Sequence, residues 1–357
     1  MKNNRTVVIT GMGAITPLGC AKDEIRQGLE RAVPAAKDVT LFDCPGVARK
    51  QAAEITAFKA GEYLGEKGLR FIPRSGKLLM SALKRLAQDT GIPLDDKGQR
   101  LFTEEQVGLV LGSTFGSLES ISSFDREALV EPQYVNPMAF PNTVINAIAG
   151  YAAIRYGIRG FTLTVSNGFV SGTDALGLAA EFLLAGRAEC VCAGAVEELC
   201  GPLAIGFQKG GFFDYDFLGE GCAVFSLEKE TSAKQRSARI LGEITAYDAR
   251  FNPDLRAGLA AGLTALSEGG VALHEIRWAF VSANAAVAKI QREVLGTRTS
   301  ATVLTAANQV VGECYSAQGA LQAAAVLADS QIKPGESVLL SAAGFDGGIS
   351  QLVLKKR

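Results

Sequence analysis

Histidine occurs once in the 357 residues, at His274. One imidazole cannot assemble a Cys-His-His, a Ser-His-Asp or a multi-histidine metal centre within one chain. His274 itself sits in the polar turn Leu273-His274-Glu275 ahead of a strand, a surface loop setting. An excess of one charge is also missing: 36 Lys and Arg stand against 37 Asp and Glu. With no basic block either, nothing marks nucleic acid or an anionic membrane as a partner. No run of about 18 uninterrupted apolar residues occurs, so no membrane-spanning helix is expected. The 7 cysteines, Cys20, Cys44, Cys190, Cys192, Cys200, Cys222 and Cys314, are odd in number and mostly lie in apolar surroundings. They read as buried thiols of a reducing, cytoplasmic compartment and not as a disulfide framework. Cys190-Val191-Cys192 has no second Cys or His pair at ligand spacing, so neither a metal nor another cofactor is expected.

Two N-terminal signals dissolve on inspection. Lys2 and Arg5 ahead of VVITGMGAITPLGC superficially match a lipoprotein signal ending at Cys20, but Gly11, Gly13 and Pro17 interrupt the apolar run. Gly11-Met12-Gly13 opens like a dinucleotide fingerprint, yet Thr16 stands where the third glycine belongs and Pro17 blocks the helix start. The stretch reads as a first strand and its loop.

What the sequence does hold is an apolar frame, 48% of its residues, which is enough for a large core. Its organising stretch is GFTLTVSNGFVSGTDALGLAAEFLLAG, Gly160 to Gly186. The β-branched run to Val165 predicts a strand, Ser166-Asn167-Gly168 a corner, and Ser171 to Ala185 a helix, with Ser171 and Asp174 available to cap its first turn. Only Glu181 marks a polar side of that helix, so it belongs between layers. A strand, a sharp corner and a buried helix form a seat for a nucleophile. The residue placed there is Phe169, which cannot attack anything.

Residues 22 to 100 mix helices with polar loops, the clearest helix being Ser75 to Asp89 with Leu78, Leu79, Leu83 and Leu86 on one face. Further helices are expected over Leu118 to Leu129 and Thr143 to Arg155, separated by the proline-flanked Asn136 to Asn142. An internal repeat then fixes the architecture. Strands at Val7–Thr10, Val107–Leu111, Thr162–Val165, Cys190–Ala193 and Ala223–Leu227 recur in kind at Ile240–Thr245, Trp278–Val281, Thr302–Thr305, Ser337–Ser341 and Gln351–Leu354. A second all-apolar helix, Ser316 to Asp329, occupies the same place between third and fourth strands as Ser171 to Ala185. The expectation is an α/β fold of two similar halves, residues 1–235 and 236–357, in five layers (α-β-α-β-α) with both apolar helices at the centre.

VVITGMGAITPLG, LTVSNGFVSG, FFDYDFLGEGCAVFSLEKE and the terminal GFDGG together resemble the β-ketoacyl synthases of the thiolase superfamily, over essentially the whole chain. The chain is shorter than typical ketosynthases, chiefly in its second half. In that family the corner presents a cysteine that carries the acyl chain, and two histidines stabilise enolate and thioester oxyanions during decarboxylative condensation. The resemblance puts Phe169 at the cysteine, Asn284 at the first histidine (Val281-Ser282-Ala283-Asn284-Ala285-Ala286) and Glu313 at the second, with Asn308 at a nearby lysine. All four catalytic positions are replaced.

Loss of chemistry within a kept frame resembles the chain length factor, the non-condensing partner of the ketosynthase in bacterial type II polyketide systems, aromatic and aryl-polyene. Chain length factors often carry glutamine at the nucleophile position, so Phe169 departs from that pattern. The resemblance implies pairing with a catalytic ketosynthase through the edge Thr162-Leu163-Thr164-Val165, and an acyl carrier protein as the second partner. It also implies an acyl-tunnel wall drawn from Phe115, Leu118, Ile121, Phe124, Met138 and Phe140, each of which reads equally well as an ordinary core residue. Cys314, two residues from Gly312, has no neighbouring base or cation and reads as structural. Two alternatives remain: a stand-alone enzyme on acyl carrier thioesters using Asn284, Glu313, Ser316 and Asp346, or a scaffold that shapes no tunnel.

Overall fold

The computed structural model describes residues 6–43, 45–48, 50–90, 101–211 and 216–357. Lys2, Arg5, Cys44, residues 91–100 and the Phe212 to Tyr215 part of the FFDYDFLGEGCAVFSLEKE segment lie outside the described residues. Ten strands make the main sheet: β1 (Val7–Ile15), β2 (Val107–Gly112), β3 (Thr162–Val165), β4 (Cys190–Glu197), β5 (Gly221–Lys229), β6 (Gly242–Phe251), β7 (Ile276–Phe280), β8 (Thr302–Leu304), β9 (Ser337–Ala343) and β10 (Gly348–Lys356). Their order is β8-β7-β9-β10-β6-β1-β5-β4-β2-β3. Each half therefore runs third-second-fourth-fifth-first, with parallel pairs at its outer end and antiparallel pairs toward the middle. The halves join where Val7, Val8 and Ile9 of β1 pair with Ile244, Glu243 and Gly242 of β6. The expected two sheets are thus hydrogen-bonded into one, with β3 and β8 as its free edges.

Helices sort into layers by how apolar they are. The amphipathic α1 (Arg74–Thr90) buries Leu78, Leu79, Leu83 and Leu86 against the first half's outer face, beside α3 (Ala147–Tyr156), while α2 (Leu118–Val130) has no buried residue and packs against the 3₁₀ segment Pro137–Thr143. At the centre α4 (Ser171–Leu184) lies between the halves, and α5 (Leu255–Glu268) with α6 (Ala285–Arg298) covers the second half's outer face. The partner of α4 is α7 (Gln318–Ala328), every residue of which is buried. A burial that complete on all sides requires the apolar composition seen in the sequence.

The crossing of α4 and α7 is fixed by two glycines. A Cβ on Gly172 would sit 2.3 Å from the Ser316 carbonyl oxygen, and one on Gly319 would sit 2.1 Å from Thr173 Oγ1. Each helix is entered through a 3₁₀ turn, Gly168–Val170 in the first half and Tyr315–Ala317 in the second. The first residue of each turn is left-handed, Gly168 at φ 63° and Tyr315 at φ 51°. Glycine takes that conformation freely, whereas Tyr315 holds it at a cost of order 1–3 kcal/mol that the surrounding packing must offset. No helix among the described residues is long and apolar enough to cross a membrane.

Candidate functional site

The site forms where the two 3₁₀ turns face each other. After β3 the chain turns at Gly168, whose added Cβ would lie 2.5 Å from Asp346 Oδ2, and delivers Phe169 into the space between the halves. The corner is held by Ser171, not as a helix cap: its Oγ donates to the Gly168 carbonyl (2.7 Å) and accepts from the Asn167 N–H (2.8 Å). Asp174, the other expected cap, instead accepts from Asn167 Nδ2 (2.9 Å) and the Tyr247 hydroxyl (3.0 Å). Both side chains are thus spent on tying the corner to its neighbours, because the preceding 3₁₀ turn already occupies the helix entrance.

The Phe169 ring meets Phe345 edge-on at 5.0 Å and Phe207 at 6.3 Å, and Phe207 lies 4.8 Å from Tyr315, which in turn meets Phe115 at 5.7 Å. Phe169, Asn284 and Glu313 line one cavity, as the sequence reading requires. Beside Phe169 that cavity holds only about 20 Å³, room for a single water, and a cavity of about 170 Å³ adjoins it through Ser282, Ala283 and Glu313 and reaches Asn308.

The three polar replacements are each held by their own hydrogen bonds. Asn284 caps α6, accepting from the Val287 N–H at 3.0 Å. Asn308 donates to the Val281 carbonyl (2.8 Å) and accepts from Gln318 Nε2 (2.7 Å) and Gln322 Nε2 (3.0 Å). Glu313 is buried, accepts from the Tyr315 N–H at 2.8 Å, and has no cation partner among the described residues. Burial pushes its carboxyl up to about 7, the backbone N–H opposing only in part. The other proposed acid-base residues do not converge here: Ser316 donates to Glu197, and the exposed Asp346 accepts from the Gly348 N–H at 3.1 Å. Cys314 is fully buried, its thiol pushed well up by desolvation, and His274 is exposed in a 3₁₀ turn.

The six tunnel-wall residues divide. Phe115 and Leu118 join the inner aromatic cluster with Phe169 and Phe207, whereas Ile121, Met138 and Phe140 face outward, with the Phe124 ring tilted against Phe140 at 5.7 Å. Thr162 to Val165 form a free sheet edge, and the Thr164 hydroxyl is buried with no partner among the described residues.

A set of buried acids behind the site was not anticipated. Glu197 accepts from the N–H groups of Thr114 (2.5 Å) and Phe115 (3.0 Å), and Glu220 takes Arg74 Nε (2.9 Å) and Nη2 (2.6 Å) together with the Ile55 N–H (2.8 Å). Two adjacent glutamates closing the apolar run VCAGAV were the available signal. Glu313 carries a pH consequence. Its carboxyl titrates near 4.5 when exposed and near 7 when folded, so the folded chain keeps a proton that the unfolded chain releases between those values. Stability from this group is full below about pH 4.5 and falls as pH rises to 7, by about 3 kcal/mol at 1.4 kcal/mol per unit. Urea midpoints of wild type relative to Glu313→Gln should fall between pH 5 and pH 8; parallel profiles would contradict this.

Residues 4–233 match the family described as beta-ketoacyl synthase, N-terminal domain. The fold and the site's position define a thiolase-like ketosynthase frame, and the chain belongs to the beta-ketoacyl synthase family. A 3-oxoacyl-[acyl-carrier-protein] synthase 2 from Vibrio cholerae is 25% identical over 357 residues, covering 90% of this chain and 85% of the relative. The solved ishigamide ketosynthase/chain length factor superposes with a TM-score of 0.83 at 29% identity, covering 98% of this chain and 99% of that one. The AntDE:AntF complex, a type II polyketide synthase acyl carrier protein with its ketosynthase bound to the hexaketide, shares the fold at TM-score 0.80 and 21% identity, covering 99% and 100%.

Proposed function

We propose that this chain is a chain length factor: a non-condensing subunit that pairs with a cysteine-bearing ketosynthase and shapes the acyl tunnel of a cytoplasmic type II polyketide system. The observation that carries this reading is the filled nucleophile corner, where Phe169 replaces the thiol and leaves about 20 Å³ among Asn284, Glu313 and Tyr315. Differences between the substituted positions and a working site are chemical, not only steric, since an acyl oxyanion needs aimed donors. Asn284 commits its Oδ1 to a helix cap and offers only an uncharged amide where the family has an imidazole, and Glu313 places a carboxyl at the other histidine position.

Pairing is supported by what the single chain leaves uncovered. Exposed apolar side chains recur between residues 129 and 154, at Leu129, Val130, Tyr134, Met138, Phe140 and Ile154, the last on α3, which packs against the open edge strand β3. A tract of this kind on a water-facing surface marks a protein interface. The acyl carrier protein as second partner follows from the class of complex that AntDE:AntF represents.

Phe169→Cys alone should yield no condensation product and no acyl-enzyme on this subunit by intact mass, and turnover from that single change would refute the reading. In the assembled pair, Phe115→Ala and Phe124→Ala remove two of the three phenylalanines among the wall candidates. At least one should shift product length by one or more extension units, because chain growth stops where its tip meets a bulky side chain. Unchanged length in both variants would favour a scaffold that shapes no tunnel.

A further inference from the structure

A second cleft, of about 550 Å³, opens between the loop that follows β1, Arg85 of α1 and the segment from Glu54 to Tyr63. It shares no lining residue with the Phe169 site, and none of the six tunnel-wall candidates borders it. That size suits a small organic molecule. Apolar and polar residues share its lining, with Ile15, Pro17, Ile55 and Phe58 on the apolar side.

Four charged side chains border the cleft, Glu24 and Glu54 against Lys37 and Arg85, so their charges cancel. What separates them is how their hydrogen bonds are spent. Glu54 accepts from the Thr40 N–H (2.8 Å) and hydroxyl (3.1 Å) and from the Leu41 N–H (3.1 Å). Glu24 accepts from the N–H groups of Cys20 (2.7 Å) and Ala21 (2.9 Å). Both carboxylates are thus turned to the backbone, and Glu62 beside Tyr63 pairs with Lys59 at 3.5 Å. The donors are less well served. Half-buried Arg85 gives Nε to the Cys20 carbonyl at 2.8 Å, and its Nη1–Nη2 edge has no acceptor among the described residues. Tyr63 donates its hydroxyl to Cys20 Sγ at 3.4 Å, and a thiol sulfur is a weak acceptor. Two donors therefore converge on Cys20, one at its carbonyl and one at its sulfur, with no strong acceptor between them.

We propose that this cleft binds a small aryl carboxylate, its two oxygens taken by the Nη1–Nη2 edge of Arg85 and by the Tyr63 hydroxyl. The planar guanidinium edge matches a carboxylate in a two-bond pair that a neutral amide cannot reproduce at full strength. The ligand ring lies on the apolar side, where the Phe58 and Tyr63 rings already form a tilted pair at 5.9 Å. Lys37, exposed at the rim, adds a second cation. An ammonium of the same size would face Arg85 and find both carboxylates holding backbone N–H groups. The site stands on its own geometry, whether or not the chain is a chain length factor.

The test uses benzoate, benzamide, benzylammonium and phenyl phosphate in ligand-observed NMR, on the purified chain together with any partner that copurifies. At pH 7 benzoate should bind saturably and about tenfold or more tighter than the other three, the value of one charge-assisted hydrogen bond. Tyr63→Phe should weaken benzoate about tenfold, and Arg85→Met should abolish its advantage over benzamide. Cys20, half-buried between the two donors, reports the place: benzoate should slow its alkylation by iodoacetamide in proportion to occupancy, read by peptide mass. The proposal is overturned by no saturable binding of benzoate, by equal or tighter binding of any of the other three, by a Tyr63→Phe variant that binds like wild type, or by Cys20 alkylation indifferent to bound benzoate. Tyr63→Phe loses a single oxygen and should melt cooperatively, so a folding failure of Arg85→Met leaves the test intact.

Discussion

Phe169→Ala should lower the stability of this chain by about 2 kcal/mol, less than emptying a fully buried aromatic site costs because the ring is only partly buried. The ring joins Phe345 and Phe207 across the gap between halves, and the cavity beside it is too small for neighbours to have adapted to its absence. Phe169→Leu, which keeps most of the volume, should cost about 1 kcal/mol. Urea unfolding of the two variants measures the difference. A neutral alanine variant would mean that the corner is built to hold a ligand and that Phe169 merely leans into it.

The second large effect is expected at the buried ion pair. Arg74→Met leaves Glu220, whose side chain is 0% exposed, with only the Ile55 and Leu199 N–H groups. Removing one partner of such a pair costs about 3–5 kcal/mol because the remaining charge is uncompensated. Adding Glu220→Gln should recover at least half of that loss, since the amide needs no counter-charge. A double-mutant cycle in which the two changes simply add would show that the pair is not coupled.

Much of the frame could be read from the sequence, since all ten strands were expected and Thr162–Val165 agrees to the residue. Short apolar runs between glycine-rich turns and two helices with no polar face leave few ways to layer the chain. The boundaries that moved did so for tertiary reasons. β1 runs to Ile15 because it pairs with β5 through a register shift at Gly11, and β6 runs to Phe251 along β10. The third helix begins at Ala147, not Thr143, because Pro137–Thr143 forms a 3₁₀ segment of its own.

At the site, the gathering of Phe169, Asn284 and Glu313 was legible because the repeat places two helix entrances face to face. The fate of Asn308 was not, as its partners Gln318 and Gln322 come from a helix that the composition marked as wholly apolar in character. Nor was the buried set Arg74, Glu198 and Glu220 readable, because its members are 22 to 146 positions apart and only the fold brings them together.

The most direct measurement is co-expression of the tagged chain with its neighbouring genes, followed by pull-down and intact-mass analysis of the complex. A one-to-one pair with a homologous chain that carries the acyl group on its own cysteine, this chain remaining unmodified, is the expected result. A homodimer without such a partner, or acyl mass on this chain, would contradict the assignment.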